Sequence, residues 1–301
     1  MKLLLTGLVA ALAVITAPAG SGTVARPLAS APGTLVFVCS GCPQKREGSS
    51  LYVVQPSGKG LRRIGTGDVQ PYYPRWSPKR RWISAESRDH EIWVVGRGGL
   101  PKRRLTPDCC ASGPAAWSPD GRRLVFSRRG EPFTTTLDRK RQRRLLRNWR
   151  RGFREPDWSA DGRTIVFQGI DGRLYLVRSD GRTPRALGNI SGSAPRWSPD
   201  GRWIAFIHHA RFITLMVVRP DGRHARIVRQ ATARERYAAL AWSPDGRAIA
   251  VSVLRVSEDP DRPYHGSELV LVPLDGARPR RVVIPAIPRT AASEFYGVDW
   301  R

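Results

Sequence analysis

The chain has 301 residues and a formal net charge of +26, because 51 Lys and Arg outnumber 25 Asp and Glu. Hydrophobic residues make up 41% of it and ten residues are Trp, which excludes an intrinsically disordered protein despite the charge. Gly and Pro are spaced like turn residues, and no internal run is long enough to cross a bilayer as a helix. Composition therefore excludes a fibre, a membrane bundle and a disordered tail.

The beginning of the chain is typical of a secretory signal peptide. An apolar run from Leu3 to Ile15 is followed by an A-x-A cleavage pattern at residues 17–19. Cleavage after Ala25 and an uncleaved anchor helix are the alternatives. We predict a cleaved signal peptide at 1–19, a flexible mature N-terminus at 20–32, and an extracytoplasmic location, either secreted or in the cell envelope or periplasm.

One motif recurs through the rest of the chain. Its fullest form is Trp-Ser-Pro-Asp-Gly-Arg, and its Trp recurs at intervals of 41, 41, 39 and 45 residues. These marker residues are Trp76, Trp117, Trp158, Trp197 and Trp242. In each repeat a short strand ends in the motif, whose Pro and Gly suit a tight turn, and a β-branched strand follows. A third apolar strand and a fourth, Arg-bearing strand complete a unit typical of a propeller blade.

The two ends of the sequence supply the parts of one further blade. The segment ending in Trp300 has the pattern of a first strand with nothing after it. Leu35–Val38 has the pattern of a second strand with nothing before it. We therefore predict an all-β fold over residues 33–301, a six-bladed β-propeller of four-stranded blades. The N- and C-terminal strands would share one blade and close the ring.

The repeated unit resembles that of the TolB-like six-bladed β-propeller family, whose repeats are also described as WD-repeat-like. The resemblance covers nearly all of the chain after the predicted signal peptide. It departs at Lys79-Arg80, where Asp-Gly is missing, and at Ala160, which replaces Pro. No segment resembles the N-terminal α/β domain of TolB. None resembles the hydrolase domain that follows this propeller in prolyl-oligopeptidase-like enzymes.

The repeated carboxylates and indoles have both a functional and a structural interpretation. Acid–base catalysis is one role for the repeated carboxylates, but each lies in the same turn context of its own blade. They are Asp120, Asp161, Asp200 and Asp245. The marker Trp residues, together with Trp300, could stack nucleic-acid bases, yet one Trp per blade is what packs neighbouring sheets. We assign both sets to turns and core, and predict no catalytic residue, no metal ligand and no cofactor.

Four cysteines in an exported chain favour disulfides over a zinc site. The candidates are Cys39, Cys42, Cys109 and Cys110, with three possible connectivities. A bridge between the adjacent residues Cys109 and Cys110 would be strained, so pairing between the two clusters is an open alternative.

The histidines offer the starting point for a competing enzyme hypothesis. Four of them fall in predicted loops between second and third strands, on one face of the disc: His90, His208, His209 and His265. Solvated loop histidines are the simpler interpretation. The competing hypothesis is an extracytoplasmic hydrolase or lyase whose metal is held at the channel mouth by loop histidines and carboxylates. Elemental analysis of protein purified without chelator would detect such a metal.

Arginine supplies 45 of the 51 basic residues, and many arginines fall in the predicted fourth strands. These strands form the outer edge of each blade, where charge also discourages sheet-to-sheet association. A genome rich in G and C would favour Arg as well. Candidate polyanion contacts on this basic rim are Arg103, Arg104, Arg143 and Arg144.

The leading functional prediction is an exported, non-catalytic scaffold. It would be a monomer that binds a protein or an anionic cell-envelope polymer through its loops and basic rim. Export disfavours a nucleic-acid partner, although the charge alone would permit one. The mature chain would carry no transmembrane span.

Overall fold

The computed structural model describes residues 31–40, 42, 48–106, 113–257, 264–284 and 294–301. The predicted signal peptide and the cysteines Cys109 and Cys110 lie outside these residues. Within them, every regular element is a β-strand. These residues accordingly contain no helix that is long and apolar enough to cross a membrane.

The strands form six four-stranded antiparallel sheets, which are the predicted blades. Blade 1 combines the last strand with the first three, and blades 2 to 6 each take four consecutive strands. The inner strands of blades 1 to 6 are β24 (Glu294–Trp300), β4 (Pro71–Trp76), β8 (Ala116–Trp117), β12 (Arg154–Trp158), β16 (Ser193–Trp197) and β20 (Glu235–Trp242). The second strands are β1 (Leu35–Ser40), β5 (Trp82–Ser87), β9 (Arg123–Arg128), β13 (Thr164–Gln168), β17 (Ile204–His209) and β21 (Ala248–Val256).

The outer half of each blade is built in the same way. The third strands are β2 (Ser49–Val54), β6 (Ile92–Gly96), β10 (Glu131–Thr136), β14 (Arg173–Arg178), β18 (Ile213–Val218) and β22 (Tyr264–Pro273). The fourth strands are β3 (Arg62–Ile64), β7 (Lys102–Arg104), β11 (Arg143–Arg144), β15 (Arg185–Ser191), β19 (Arg226–Gln230) and β23 (Arg280–Arg281). Arginine occurs in each of these outermost strands, as predicted.

The predicted ring closure is confirmed. β1 pairs with β24 on one side and β2 on the other, with Leu35 opposite Trp300 and Ser40 opposite Glu294. Just beyond the pair, Thr34 N donates to Arg301 O at 2.5 Å. β24 also packs against the inner strands β20 and β4. One blade therefore joins the two ends of the chain.

The hydrophobic core lies between blades rather than at one centre. Six buried clusters occur in the described residues, and each combines side chains from two neighbouring blades. Val36 of blade 1 packs with Ile83 of blade 2, for example, and Val166 of blade 4 packs with Phe206 of blade 5. Burying a side chain of this size contributes about 1.5–3 kcal/mol. The stability of each blade thus depends on both of its neighbours.

The Trp-Ser-Pro-Asp-Gly turns between first and second strands are closed by one repeated set of hydrogen bonds. In blade 4, Ser159 Oγ donates to Asp161 Oδ1 at 2.6 Å and accepts from Thr164 N at 2.9 Å. Asp161 Oδ1 also accepts from Arg163 N at 3.0 Å. These hydrogen bonds hold the pKa of Asp161 below its usual value; the one from Ser159 has the larger effect and the one from Arg163 the next. The repeated aspartates Asp120, Asp200 and Asp245 lie in equivalent turns.

One disulfide is present in the described residues. Cys39 of β1 is bonded to Cys42, with their Cα atoms 5.9 Å apart, and both residues are buried. This bond excludes the two connectivities that would pair these cysteines with Cys109 and Cys110.

Thiol titration of the purified mature protein, under denaturing and non-reducing conditions, should therefore find at most two free thiols. Cys39→Ser combined with Cys42→Ser should leave that number unchanged, because this pair contributes no thiol. Four titratable thiols in correctly exported protein would contradict the disulfide.

Candidate functional site

The inner strands surround a central channel, and its mouth on one face is the candidate site. We call this face the turn face, because the turns between first and second strands lie there; the opposite face is the loop face. The mouth holds a cavity of ≈ 220 Å³. Marker Trp residues from blades 3 to 6 and prolines of the adjoining turns line it, together with Trp300. Charged side chains from the inner strands complete the lining.

These charged side chains occupy one equivalent position, immediately before the marker Trp. In blade order this position reads Asp299, Arg75, Ala116, Asp157, Arg196 and Ala241. Because blades three apart lie opposite each other in a six-bladed ring, arginine faces arginine, aspartate faces aspartate and alanine faces alanine. The ring of six residues (the inner ring) therefore has pseudo-two-fold symmetry.

The hydrogen bonds of the two aspartates repeat this symmetry. Asp299 Oδ2 accepts from Trp76 N of the next blade at 2.7 Å, and Asp157 Oδ2 accepts from Trp197 N of its next blade at 2.8 Å. One oxygen of each carboxylate is thus engaged by backbone. Asp299 Oδ1 also faces Arg75 Nη1 at 3.9 Å.

The carbonyl groups of the two ring arginines are held in a matching way. Trp117 Nε1 donates to Arg75 O at 3.2 Å, and Trp242 Nε1 donates to Arg196 O at 3.0 Å. In both cases the indole reaches from the following blade. These marker Trp residues therefore join blades by a hydrogen bond as well as by packing.

The mouth contains buried nitrogen donors without an acceptor. Arg75 and Arg196 are each 6% exposed, yet Arg75 Nη2 and Arg196 Nε have no partner among the described residues. The same holds for Nε1 of Trp158 and Trp197, which also line the cavity. Leaving a buried donor unsatisfied costs about 1–3 kcal/mol. A hydrogen-bond acceptor in the mouth, from water or from a ligand, would remove this cost.

The electrostatics of the mouth centre on Asp157. Burial raises its pKa to about 6, against the opposing charge of Arg75 and the hydrogen bond from Trp197 N. The carboxylate of Asp299 raises it further, and Arg301 lowers it. Asp157 can consequently gain or lose a proton near neutral pH, which changes the net charge of the mouth.

Deeper in the channel, the inner strands bulge at a second equivalent position, three residues before the marker Trp. Tyr73, Glu155 and Ala194 have φ values of 49°, 48° and 51° there, and the ladders to the second strands shift register beside them. Gly297 takes the same conformation in β24, with φ 66°. The bulge brings Glu155 Oε2 to Ala194 N at 2.5 Å. Burial raises the pKa of Glu155.

The arginines predicted to contact a polyanion are exposed on β7 and β11, but several are engaged locally. Arg104 Nη1 lies 3.1 Å from Glu91 Oε1, and Arg144 Nη2 lies 2.5 Å from Glu131 Oε1. The guanidinium of Arg103 lies 5.6 Å from the centre of the Trp82 ring. These contacts fasten the outer strand to its own blade, so the rim offers less free positive charge than the sequence indicates.

Further exposed arginines lie on the turn face, outside the lining of the mouth. Each follows the Asp-Gly of its turn, and they are Arg122, Arg163, Arg202 and Arg247. In blade 3, Arg122 and Arg143 line one open groove. We call these four residues the outer ring.

The histidines are not gathered in one place by the fold. His90 Nδ1 lies 2.8 Å from Glu86 Oε1 on the loop face. The prediction that His208, His209 and His265 lie in loops is wrong, because β17 extends through the first two and β22 through His265. His209 Nε2 is hydrogen-bonded to Ser193 Oγ at 2.7 Å, and the side chain of His265 lies outside the described residues. In the described part of the chain, no three His, Cys, Asp or Glu side chains form a group that could hold a metal.

The inner ring is the feature that sequence reasoning missed. Its signal was available: the residue before each marker Trp reads Arg, Ala, Asp, Arg, Ala, Asp along the chain. The marker Trp was interpreted as a packing residue, and the residue immediately before it was not considered. Inner strands of a propeller face the channel, so an alternating charge at this position indicates a channel site.

Comparison with known proteins supports the fold. No family model matches the chain. An uncharacterized peptidase, YuxL, of Bacillus subtilis is 33% identical over 82 residues, which cover 27% of this chain and 12% of that protein. An uncharacterized protein of Agrobacterium fabrum is 25% identical over 185 residues, covering 54% of this chain and 63% of that protein. The matches thus span less than two thirds of either curated relative.

Solved structures match over more of the chain. TolB from Acinetobacter baumannii has a TM-score of 0.70 at 17% identity, covering 89% of this chain and 66% of that one. A putative TolB from Agrobacterium tumefaciens has a TM-score of 0.61 at 17% identity, with 89% and 98% covered. Oligogalacturonate lyase from Vibrio parahaemolyticus has a TM-score of 0.54 at 13% identity, with 78% and 71% covered. This chain therefore has the six-bladed β-propeller fold of TolB proteins.

Proposed function

We propose that this protein is an exported, non-catalytic binding scaffold whose turn face holds an anionic partner, either a protein or a cell-envelope polymer. The observation that carries the proposal is the set of buried, unpartnered donors of Arg75 and Arg196 in the channel mouth. Arg75 Nη1 faces Asp299 Oδ1 and Arg196 Nη1 donates to Pro195 O, but the buried, unpartnered nitrogen on each guanidinium favours an occupant that accepts hydrogen bonds and carries negative charge. The outer ring adds exposed positive charge on the same face.

Two features support the extracytoplasmic part of the proposal. The first is the predicted signal peptide, and the second is the Cys39–Cys42 disulfide, since disulfides persist in oxidising compartments. The fold itself does not decide between binding and catalysis, because propellers host many functions. The inner ring favours binding: one oxygen of each aspartate accepts from backbone, Arg75 faces Asp299, and each arginine has a buried, unpartnered donor.

The proposal predicts salt-sensitive binding of polyanions of different chemistry. Poly-L-glutamate and polyphosphate should both bind the mature chain, and both affinities should fall steeply between about 50 and 500 mM salt, as expected for distributed charge. Fluorescence anisotropy with labelled polymers measures this directly. Binding that persists undiminished at the high salt concentration would contradict the proposal. So would the failure of one or both polymers to bind at the low salt concentration.

Charge-reversal variants separate the turn face from the rim. Reversal of the outer ring (Arg122, Arg163, Arg202 and Arg247 to Glu) should weaken polymer binding about tenfold or more. The matched control reverses the rim residues Arg103, Arg104 and Arg144 and the exposed Arg211 between β17 and β18, and it leaves Arg143 unchanged because Arg143 lines the groove that contains Arg122. It should have a smaller effect, because Arg104 and Arg144 are already paired with glutamates. If the rim variant alone abolishes binding, the rim rather than the turn face is the docking surface.

A further inference from the structure

The unpartnered atoms in the mouth are all of one kind. Arg75 Nη2, Arg196 Nε and the indole nitrogens of Trp158 and Trp197 are hydrogen-bond donors, and they are the fully buried side-chain atoms of the cavity lining that lack a partner among the described residues. The occupant must therefore present acceptors on its surface. An anion meets this need better than water, because the two guanidinium groups also carry charge.

The placement of the two arginines constrains the shape of the anion. Arg75 and Arg196 belong to opposite blades, and each is flanked in the ring by one alanine and one aspartate. A compact dianion such as phosphate would concentrate its charge beside Asp157 and Asp299. An occupant with two separated acidic groups places one near each arginine, while its middle passes beside the small side chain of Ala241, which lines the cavity.

We propose that the channel mouth binds a small dicarboxylate, with one carboxylate on Arg75 and the other on Arg196. This inference rests on the proposed anion-binding role of the turn face. The cavity of ≈ 220 Å³ equals about seven water volumes, enough for a linear diacid of about eight to ten non-hydrogen atoms. The recognised chemistry is a pair of carboxylates a few bonds apart. A free diacid carries it, and so do neighbouring acidic side chains of a peptide.

Isothermal titration calorimetry of the mature chain tests the proposal with succinate, glutarate and adipate, and with propionate as the matched monoacid. At least one diacid should bind with 1:1 stoichiometry and about tenfold or more tighter than propionate, because its second carboxylate binds intramolecularly. A short peptide with adjacent glutamates distinguishes the two sources of the carboxylates. Absence of binding by every diacid and by the peptide, or equal binding of diacid and propionate, overturns the proposal.

Variants locate the site. Arg75→Gln and Arg196→Gln should each reduce diacid affinity to the level of propionate, a loss of about tenfold or more. Arg211→Gln on the loop face is the control, because Arg211 is exposed and stacks on Phe212 far from the mouth. Arg75 also faces Asp299, so Arg196→Gln decides the outcome if Arg75→Gln fails to fold. Equal losses in Arg211→Gln and Arg196→Gln would overturn the proposal.

The pH dependence of binding gives a second readout. Asp157 is faced by Arg75, Arg301, Asp299 and the Trp197 N–H, with Glu155 and Arg196 nearby. A bound dianion disfavours its charged form, so affinity should rise about twofold or more as the pH falls from about 8 to about 6.5, a range above the pKa values of the ligand's own carboxyl groups. Asp157→Asn should remove this dependence. A dependence that persists in Asp157→Asn would overturn the assigned placement of the ligand.

The failures of the two proposals are distinguishable. If diacids and the glutamate peptide do not bind but poly-L-glutamate binds with steep salt dependence, only the dicarboxylate site is wrong. If the salt-dependent binding of polymers is absent too, the anion-binding function of the turn face is wrong as well.

Discussion

Removal of residues 293–301 is expected to lower the melting temperature by well over about 10 °C and to broaden the unfolding transition. The deletion takes away β24, which is the inner strand of blade 1 and supplies part of the packing of that blade against both neighbours. Trp300 and Phe295 are buried within it, and removing a side chain of this kind from a core costs about 3–5 kcal/mol. Asp299, which accepts from Trp76 N, is lost as well.

The expected loss is comparable with the whole stability of a typical domain, about 5–15 kcal/mol. Differential scanning calorimetry of the full and shortened chains measures it. Phe295→Ala is the graded control: Phe295 packs against Phe37 at 5.0 Å between ring centres, so this variant should be weakened but still cooperative. A synthetic peptide of residues 293–301 should restore part of the lost stability. A shortened chain that melts within about 2 °C of the full one would contradict closure by β24.

Asp157→Asn is expected to stabilise the protein at pH 8 and to leave it nearly unchanged at pH 4. The folded-state pKa of Asp157 is raised to about 6 from 3.8, so the folded state binds more protons than the unfolded state between these values. Stability therefore falls as the pH rises through this window, and the cost of the buried charge is fully present above pH 6. Asparagine removes the charge and keeps an oxygen that accepts from Trp197 N.

The expected gain at pH 8 is on the order of 2 kcal/mol, measured from urea unfolding curves at the two pH values. Asp299→Asn is the matched control from the opposite blade. It should show no comparable gain, because it removes the carboxylate that faces Arg75. A gain for Asp157→Asn that is equal at pH 4 and pH 8 would contradict the role of its charge.

The fold followed from the sequence because each blade carries its own local signal. The repeated Trp, Ser, Pro, Asp and Gly specify the turn of each repeat. The strand patterns at the two ends of the sequence, around Leu35 and Trp300, predicted a shared blade, which the pairing of β1 with β24 confirms. Other features depend on the assembled ring. The bulges at Tyr73 and Glu155 place non-glycine residues at positive φ, where local propensity gives no warning.

The inner ring needed tertiary context for a different reason. In one repeat, Arg75 or Asp157 is a single polar residue before a Trp, which is unremarkable. Only the closed ring brings six such positions to one channel and sets like residues on opposite sides. The cysteine pairing was likewise undetermined by spacing alone, since the choice of Cys42 as the partner of Cys39 depends on the course of the chain after β1.

The closure by a single antiparallel strand pair also determines how the ring responds to mechanical force. Trp300 lies opposite Leu35, so the end of β24 and the start of β1 are side by side. A pull that separates the two chain ends loads the hydrogen bonds of this pair one after another, whereas a pull along the strands would load them together. Under tension between its ends, the propeller should open first at blade 1, releasing β24 while the other five blades keep their four strands.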